Sequence, residues 1–571
     1  MAVILPPRRR RRRTGPIPGA GLTDDSPVMV PPRIRARHGS ACEIAIVPVD
    51  VVAVACAAEP AGGRSLYSVS PHRSTPELFD TDRVRNQYRE FTPASRAGRA
   101  VHSHPIQYRG GRRVRFTVRH HNSDRNFAEL NAPLVAALQS EPARSALVAA
   151  APPVRRFMDD LGATRMRIIP YPLVIDRDEF DRMAEAARAM LEAQTVVIRE
   201  FLRSGPPERL LAEFGLPAEI APFVNWEQLE SVEQVFARVD VLPTPSGYQF
   251  CEFNVDSSIS GFEFHDCYQV MGEAVGIPWL AGTPRPEEQI ADVVTGAFHQ
   301  GGFDRVVVCD WSSRIGVGYF GFELLTETLR RRLPDVPVDL IYHADYPQRW
   351  LDPSAGKRTL VYRGFMHEDM DDDYDFITRL VGSGASVINL FEAEIRTHKR
   401  WMAMFWEERF ASLLPAGVRD MVTRYLPHTV SVTPENRDRL LADRAEYVFK
   451  FGHSSGGHDV MLGAEHDADT IAARLAERGP DGWLAQRRVQ LAECRFAPEA
   501  GAEPTPHHVV LGLYVLGGEC SGMNIRADRG SAVVNIHQSA ASGWAIPMDA
   551  DERRRLIERV RAIGPAARER H

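Results

Sequence analysis

The chain has 571 residues, 44% hydrophobic and 25% charged, with a formal net charge of -6 at pH 7. This composition is typical of a soluble globular protein with material for two to four domains or one multi-lobed enzyme, and the net charge gives no support to a basic nucleic-acid-binding body. The seven cysteines are scattered without a Cys-x-x-Cys pair, which argues against a disulfide scaffold or a zinc ribbon and for a reducing compartment.

The first 40 residues differ in charge from the rest of the chain. They hold nine arginines and two aspartates, a balance of +7, which leaves about -13 for the remainder. The run Arg8–Arg13 with its Pro and Gly neighbours is typical of a disordered tail, and we predict one over residues 1–40. A weak contact of this run with RNA or anionic lipid is the alternative to a solvated tail, and Met29 is an alternative start site.

No stretch of the sequence predicts a membrane span or a secretion signal. The longest apolar stretch, near residues 44–58, is interrupted by Pro48 and Asp50 and is too short to cross a bilayer. The arginine run is not followed by an apolar signal core. We therefore expect a cytoplasmic protein with no membrane partner.

The next two regions are an N-terminal region of unclear role, residues 41–150, and a region with clearer signals, residues 151–300. In the first, residues 112–121 alternate like a strand with a charged face. In the second, apolar residues at helical spacing predict a helix over 178–203, which Gly205 ends.

A hairpin with oxygen ligands closes the region 151–300. Asp240 ends one predicted strand, residues 243–247 form a turn, and the next strand carries Glu252 and Asn254. Because alternate side chains of a strand share a face, these two residues and Asp256 are expected on one face, beside Asp240. Two carboxylates and an amide oxygen suit Mg²⁺ shared with a substrate phosphate.

Residues 301–395 alternate strands with a helix, which predicts an α/β domain. The predicted elements are a strand at 306–310, a helix at 323–332, and strands at 338–342, 360–363 and 386–390. Arg314 follows the first strand, where α/β sheets place ligands, and is a weak candidate to hold a substrate carboxylate. A surface ion pair is the commoner role for such an arginine.

Residues 396–571 predict an antiparallel sheet with helices, an α+β lobe. The predicted elements are a helix at 399–410, strands at 446–451 and 483–489, a hairpin whose strands 508–516 and 519–526 join through Gly517-Gly518, and a strand at 532–536. Lys450 leads into a loop of small residues that let backbone N–H groups approach phosphate: Ser454, Ser455, Gly456 and Gly457. Alone, this loop is an ordinary turn, Lys399 a surface lysine, and Arg526 a strand-end arginine.

Together and in this order, the motifs resemble the ATP-grasp superfamily, and specifically its circularly permuted branch of glutathionylspermidine synthase-like carboxylate–amine ligases. In most members the lysine strands precede the metal hairpin, whereas here the hairpin comes first. The resemblance covers roughly residues 150–545. The matching motifs are Arg238-Val-Asp240 with Glu252-Phe-Asn254, His398-Lys399, Val448-Phe-Lys450 with its loop, Trp483-Leu-Ala-Gln486, and Gly522-Met-Asn-Ile-Arg526.

The resemblance implies an α/β and α+β protein, with a pre-ATP-binding α/β substrate domain at 301–395 and an antiparallel ATP-gripping lobe at 396–571. It implies a ligase that uses ATP and Mg²⁺ to join a small-molecule or peptide carboxylate to an amine through an acyl phosphate, releasing ADP. The implied roles are metal binding by Asp240, Glu252 and Asn254; nucleotide binding by Lys399, Lys450, Ser454, Ser455, Gly456, Gly457 and Gln486; and stabilisation of the transferred phosphoryl group by Arg238 and Arg526.

One departure from the family pattern keeps an alternative function open. Asp459 lies in the flap, where an acid beside phosphates is unfavourable, so we expect it to point outward or to meet the metal. With His458 it motivates the alternative of a nucleotide-binding scaffold or sensor without ligase activity. A third hypothesis is a nucleic-acid-associated protein acting through Arg8–Arg13. The acidic run 368–375 is a candidate to attract a polyamine, although a solvated loop is the commoner role.

Overall fold

The computed structural model describes residues 126–160, 166–280, 282–314, 321–353, 358–370, 373–454, 459–479, 482–529 and 540–563, together with 43–44 and 54–55. Several sequence predictions lie outside the described residues: the arginine tail, the strands at 112–121 and 532–536, and the flap residues Ser455, Gly456, Gly457 and His458. The chain divides into two compact units, residues 1–99 and 100–571. In the first unit, β1 (Glu43–Ile44) pairs antiparallel with β2 (Val54–Ala55).

The second unit contains three sheets in its described part. Their strands are β3 (Arg167–Ile168), β4 (Leu173–Asp176), β5 (Phe236–Thr244), β6 (Gly247–Val255), β7 (Arg305–Asp310), β8 (Val338–Tyr342), β9 (Thr359–Arg363), β10 (Ser386–Ile388), β11 (Thr429–Ser431), β12 (Tyr447–Phe451), β13 (Val460–Leu462), β14 (Trp483–Arg487), β15 (Cys494–Phe496), β16 (Thr505–Leu516), β17 (Glu519–Asp528) and β18 (Ala541–Met548).

None of the helices in the described ranges is long and apolar enough to span a membrane. They are α1 (Phe127–Leu138), α2 (Glu141–Asp160), α3 (Arg177–Ser204), α4 (Glu208–Phe214), α5 (Phe264–Val275), α6 (Pro286–Gly301), α7 (Gly321–Arg332), α8 (Asp375–Gly382), α9 (Glu392–Thr397), α10 (Arg400–Met404), α11 (Glu408–Ala411), α12 (Ala416–Tyr425), α13 (Arg437–Ala442), α14 (Ala468–Glu477) and α15 (Ala550–Arg561).

Two helix predictions have different outcomes. The helix predicted over 178–203 is confirmed as α3, whose first turn is capped by the Asp176 side chain accepting a hydrogen bond from the backbone N–H of Glu179. The single helix predicted over 399–410 is wrong. The structure has α10 and α11 instead, because the backbone of Glu407 is extended (φ -76°, ψ 124°) and interrupts the helix.

The largest sheet has the strand order β3-β18-β17-β16-β5-β6, with β4 also beside β18 and β15 beside β16. The central pairings from β6 to β18 are antiparallel, whereas β3 and β4 run parallel to β18. The predicted hairpins β5–β6 and β16–β17 are confirmed. One face of this large sheet is apolar and forms the core, with Val239, Leu511, Leu513, Met523 and Ile525 fully buried.

The parallel sheet has the order β10-β9-β7-β8, with every pairing parallel. This confirms the α/β layer predicted within residues 301–395, including the unit β7–α7–β8. All six residues of β7 are buried, as expected for a parallel strand covered on both faces.

The small sheet has the order β11-β14-β12-β13 and is antiparallel. One of its faces packs on α13 and α14 through a separate core that includes Phe449, Ala485 and Ile471. The prediction of one antiparallel set after residue 446 is therefore wrong. The structure divides these strands between the small sheet, which holds β12 and β14, and the large sheet, which holds β16 and β17.

Candidate functional site

A polar face of the large sheet gathers the predicted hairpin residues. Residues directly opposite each other in an antiparallel pair project to the same face. Asp240 lies opposite Glu252 on one side and Gly512 on the other, and Gly512 lies opposite Asn524. The strand period of two then places Arg526 on the same face as Asn524. This polar face is the reverse of the apolar core face.

A β-bulge in β6 shapes the centre of this face. Asp240 pairs with Glu252, but the next residue, Val241, pairs with Phe250. Cys251 is therefore the extra residue, and its main chain is left out of the regular ladder. Its carbonyl oxygen accepts a hydrogen bond of 3.0 Å from Nζ of Lys450. The bulge thus joins the hairpin to a lysine of the small sheet.

Two arginines engage the Asp240 carboxylate, whose side chain is only 3% exposed. Nε of Arg238 lies 3.3 Å from Oδ1 of Asp240, and Nη1 of Arg238 donates to the Ser260 carbonyl at 3.1 Å. Arg526 forms an ion pair with the other oxygen, Oδ2. A buried charge without such partners would be strongly destabilising. The two arginines expected at the transferred phosphoryl group are therefore brought together at one predicted metal ligand.

Glu252 is held as an anion by two lysines. Its Oε2 lies 3.6 Å from Nζ of Lys399. Burial opposes ionisation of the Glu252 carboxyl, but the charges of Lys399 and Lys450 outweigh that penalty and lower its pKa to about 2. The predicted metal ligand and the predicted phosphate-binding lysines are therefore direct electrostatic partners.

The amide of Asn254 is oriented by the same hairpin. Its Nδ2 donates to the Arg238 carbonyl at 3.2 Å, across the β5–β6 ladder. Asp256 was expected on the same face as Glu252 and Asn254, and that prediction is wrong. Strand β6 ends at Val255, and the buried Asp256 binds Arg363 at 2.6 Å instead. The hairpin therefore offers three oxygen-bearing side chains, not four.

The small sheet presents Lys450 and Gln486 on one face. Lys450 lies opposite Leu484, and Val448 lies opposite Gln486, so the period of two puts all four side chains on the face away from α13 and α14. Nε2 of the buried Gln486 donates to Oγ1 of Thr429 at 3.2 Å. This face therefore carries Lys450, which reaches the bulge, and Gln486, which lies two positions along the β12–β14 ladder.

Lys399 connects the start of the flap to the hairpin. Its backbone N–H donates to the Gly452 carbonyl at 3.1 Å, and its Nζ donates to the Ser454 carbonyl. Gly452 is required there, because a Cβ atom would lie 2.4 Å from Cε1 of His398. Lys399, Lys450 and Ser454 are thus brought together, while the rest of the predicted flap lies outside the described residues.

Asp459 anchors the other end of the flap. Its carboxylate binds Nη2 of Arg474 at 2.5 Å and Nη2 of Arg478 at 2.6 Å, both on or beside α14, and its side chain is fully buried. Its backbone has a φ of 55°, a left-handed conformation that Asp tolerates better than most residues. Asp459 was expected to point outward or to meet the metal, and its carboxylate is instead enclosed between these two arginines.

Several residues of the polar face were missed by the sequence reasoning. Tyr514 donates from its hydroxyl to the Ser260 carbonyl at 2.8 Å and accepts from Nδ2 of Asn524 at 2.9 Å. A Cβ atom on Gly512 would lie 2.1 Å from Oδ1 of Asn524 and 2.6 Å from Cδ of Arg238. The spacing of Asn524 two residues before Arg526 was an available signal. Arg314 ends a short 3₁₀-helix after β7, and its side chain lies outside the described residues.

No protein-family model and no curated protein matches the chain. Among solved structures, it is similar to a glutathione synthetase-like effector from Globodera pallida in its apo form. The identity is 13%, the match covers 72% of this chain and 99% of that chain, and the TM-score is 0.48. This likeness is distant, and the contacts described above do not depend on it.

Proposed function

We propose that the chain is an ATP- and Mg²⁺-dependent carboxylate–amine ligase with a circularly permuted ATP-grasp fold. It would phosphorylate a substrate carboxylate with ATP, releasing ADP, and an amine would then displace phosphate to leave an amide. The observation that supports this most is the convergence of Arg238, Lys399, Lys450 and Arg526 on the carboxylates of Asp240 and Glu252.

The chemistry of the first step explains why such a set of charges is needed. A carboxylate attacking a triphosphate brings like charges together, so catalysis depends on positioning and on positive charge at the phosphate oxygens. We assign Lys399 and Lys450 to the phosphates nearer the nucleoside, and Arg238 and Arg526 to the transferred group. Gln486, on the same sheet face as Lys450, is assigned to the adenine side.

The donor set fits Mg²⁺ held jointly with phosphate. Within the described ranges, no group of three or more His, Cys, Asp or Glu side chains is arranged to hold a metal by itself. Mg²⁺ usually takes only one or two protein carboxylates, with waters and substrate phosphates completing its shell. Asp240, Glu252 and Asn254 would hold it, and when bound it would screen the negative charge of the phosphates.

The residues at the flap would exclude water from the reacting group. Lys399 holds the first flap residues through Gly452 and Ser454, and Asp459 fixes the far end to Arg474 and Arg478. Closing a loop anchored at both ends protects an acyl phosphate from hydrolysis. These anchors weaken the case for a non-catalytic scaffold or sensor, because Asp459, which motivated that alternative, is occupied by two arginines.

The test is ATP turnover that depends on both substrates. Purified protein is incubated with ATP, Mg²⁺ and panels of amino acids, short peptides and polyamines, and release of ADP and phosphate is measured. We expect turnover only when a carboxylate and an amine are both present. Glu252→Gln should lower kcat about a hundredfold, since one lost charge contact costs on the order of 3 kcal/mol in the transition state. ATP binding without turnover across the panels would favour the scaffold or sensor.

A further inference from the structure

A histidine–glutamate pair lies beside the candidate site and has no role in the proposed phosphoryl transfer. His453 follows β12 in the first part of the flap, and Glu394 lies in α9. Nε2 of His453 and Oε2 of Glu394 are 3.2 Å apart. The Glu394 side chain is 8% exposed and that of His453 is 26% exposed. The carboxylate is therefore enclosed, whereas the imidazole keeps an open edge.

The environment of the pair sets its protonation. Burial opposes the charge of Glu394, but the hydrogen bond and charge of His453, with Arg363 and His367, lower its pKa. Burial also opposes the charge of His453, but the same bond and the Glu394 charge raise the His453 pKa above its ordinary value. With Nε2 donating its proton to Glu394, Nδ1 is the ring atom that accepts a proton. This is the relation between a base and its orienting carboxylate.

The histidine lies next to the proposed phosphate site along the chain. Ser454, the following residue, accepts through its carbonyl from Nζ of Lys399, and Lys399 also pairs with Glu252. The ring of His453 is stacked at 6.1 Å between ring centroids on His398, the residue before Lys399. The neighbouring pairs His453-Ser454 and His398-Lys399 thus contact each other and hold the imidazole beside the lysine assigned to phosphate.

Other titratable groups nearby are less suited to proton transfer. Both carboxylate oxygens of Glu392 accept backbone N–H groups, from Asn225 and Leu390. His398 is buried, its Nδ1 accepts the backbone N–H of Arg400, and burial holds its pKa well below its ordinary value. Glu263 is also enclosed, at 2% exposure. His453 combines a titratable ring, an orienting carboxylate and an open edge.

We propose that His453, oriented by Glu394, is the general base that deprotonates the amine substrate. This inference rests on the proposed ligase function and adds a residue to its second step. Nδ1 of His453 accepts one proton from the ammonium form of the amine, which frees the nitrogen lone pair. The C–N bond to the acyl carbon forms, the C–O bond to phosphate breaks, and phosphate leaves with the bonding electrons. The second nitrogen proton passes to the departing phosphate.

Charged and titratable groups face His453 from three segments. Glu394 faces it from α9, His398 and Lys399 from the start of α10, and Glu368 from the 3₁₀-helix after β9. The ring of His367, on that same 3₁₀-helix, lies 6.2 Å away. Glu394 and Glu368 favour the imidazolium, whereas Lys399 opposes it. The pH profile of the amine step should therefore respond to Glu394 more than to groups elsewhere.

Hydroxylamine separates the two steps, because it is unprotonated at neutral pH and needs no base to attack an acyl phosphate. His453→Gln and Glu394→Gln are compared with His299→Gln, an exposed control on α6. Each is assayed for hydroxamate formation from ATP, the best carboxylate of the panel and hydroxylamine, and for amide formation with a polyamine or amino acid. General-base catalysis typically contributes about a hundredfold or more.

For His453→Gln we expect hydroxamate formation within about threefold of wild type and amide formation lowered about a hundredfold, with partial recovery at higher pH. Glu394→Gln should shift the pH profile of the amide step and leave hydroxamate formation intact. Equal loss of both products, with unchanged thermal stability, would overturn the role of His453 as base, and so would equal retention of both. A wild-type protein that forms no hydroxamate with any carboxylate would instead overturn the proposed function.

Discussion

At the scale of single residues, the proposed phosphate-binding cations and metal ligands neutralise one another. Asp240 is bound by Arg238 and Arg526, and Glu252 by the field of Lys399 and Lys450. Such pairing keeps a concentrated set of charges compatible with a folded core. Because the lysines act on Glu252 in the protein alone, the lowered pKa of Glu252 can be tested without any substrate.

The pKa of Glu252 gives a prediction for stability against pH. Its ordinary value is 4.5, and the lysines lower it to about 2 in the fold. Because the folded pKa is below the unfolded one, ionised Glu252 stabilises the fold above about pH 4.5, and that contribution is lost as the pH falls toward 2. Glu252→Gln should therefore be less stable than wild type near neutral pH, by about 3 kcal/mol at most.

Urea unfolding at several pH values between about 7 and 3 checks this prediction. The difference in unfolding free energy between wild type and Glu252→Gln should narrow as the pH falls. Glu227→Gln, a change at an exposed glutamate, is the control and should show little difference at any pH. A gap that stays constant with pH would mean that the lysines do not hold Glu252 ionised.

The residues of the site could be predicted from sequence only where local spacing carried the signal. Glu252 and Asn254 follow from alternation within one strand, Asp240 from the hairpin and Lys450 from the small-residue loop after it, and the structure brings Asp240, Glu252 and Lys450 together. Tyr514 was missed because its partner, the Ser260 carbonyl, is distant in sequence. The diversion of Asp256 to Arg363 depends on where β6 ends, and nothing local to residue 256 signals that partner.

At the scale of elements, close approach between β5, β16 and β17 holds the polar face together. Gly512 lies between Asp240 and Asn524, and any Cβ atom there would overlap Asn524 and Arg238. Strand β16 therefore needs glycine at position 512 so that the side chains of Arg238 and Asn524 can pack over it. The same position would be unremarkable in a strand whose flanking residues were small.

Gly512→Ala should displace Arg238 and lower ligase turnover by at least about tenfold while the protein remains folded. Steady-state kinetics and circular dichroism measure the two effects. Gly296→Ala is the matched control, because apart from the adjoining backbone of its own helix nothing lies within 4 Å of a Cβ there, and alanine favours the helix α6. Wild-type turnover in Gly512→Ala would show that Arg238 does not need its present position.

The elements themselves were largely predictable, and their grouping was not. Alternation and the pair Gly517-Gly518 predicted the β16–β17 hairpin, and helical spacing predicted α3. The pairing of β5 with β16 joins segments far apart in sequence, so no local pattern specifies it. The bulge at Cys251 also lacks a local signal, since nothing in the residues around it is a typical bulge residue such as glycine.

At the scale of the whole molecule, the site joins the large sheet to the small sheet. Lys450 of β12 reaches the bulge in β6, and Lys399 reaches Glu252. Under the proposed function, binding of ATP and Mg²⁺ would exchange these contacts for contacts with phosphate and metal. Magnesium alone would leave the cations without partners, and ATP alone would meet the unneutralised carboxylates. Each ligand should therefore favour binding of the other.

Thermal unfolding with a non-hydrolysable ATP analogue tests this coupling. The analogue with Mg²⁺ should raise the Tm by more than the sum of the two separate shifts, because each ligand strengthens binding of the other. A ligand present at about 100 times its Kd adds about 2.7 kcal/mol to the free energy of unfolding. Chelation with EDTA should reverse the joint effect. Glu252→Gln serves as the comparison and should bring the shifts close to additive. Additive shifts in wild type would mean that the metal and nucleotide sites are independent.

The bulge that brings a main-chain oxygen to Lys450 also places a thiol among the charged residues of the candidate site. Burial raises the pKa of Cys251 to about 12, although Lys450 acts in the opposite direction, so the sulfur stays protonated at neutral pH. The thiolate is the reactive form toward alkylating agents and oxidants. Treatment with iodoacetamide should leave turnover intact, and mass spectrometry should find Cys251 unlabelled. The proposed ligase should therefore lose no turnover through oxidation of Cys251, unlike an enzyme with an exposed, acidic cysteine at its site.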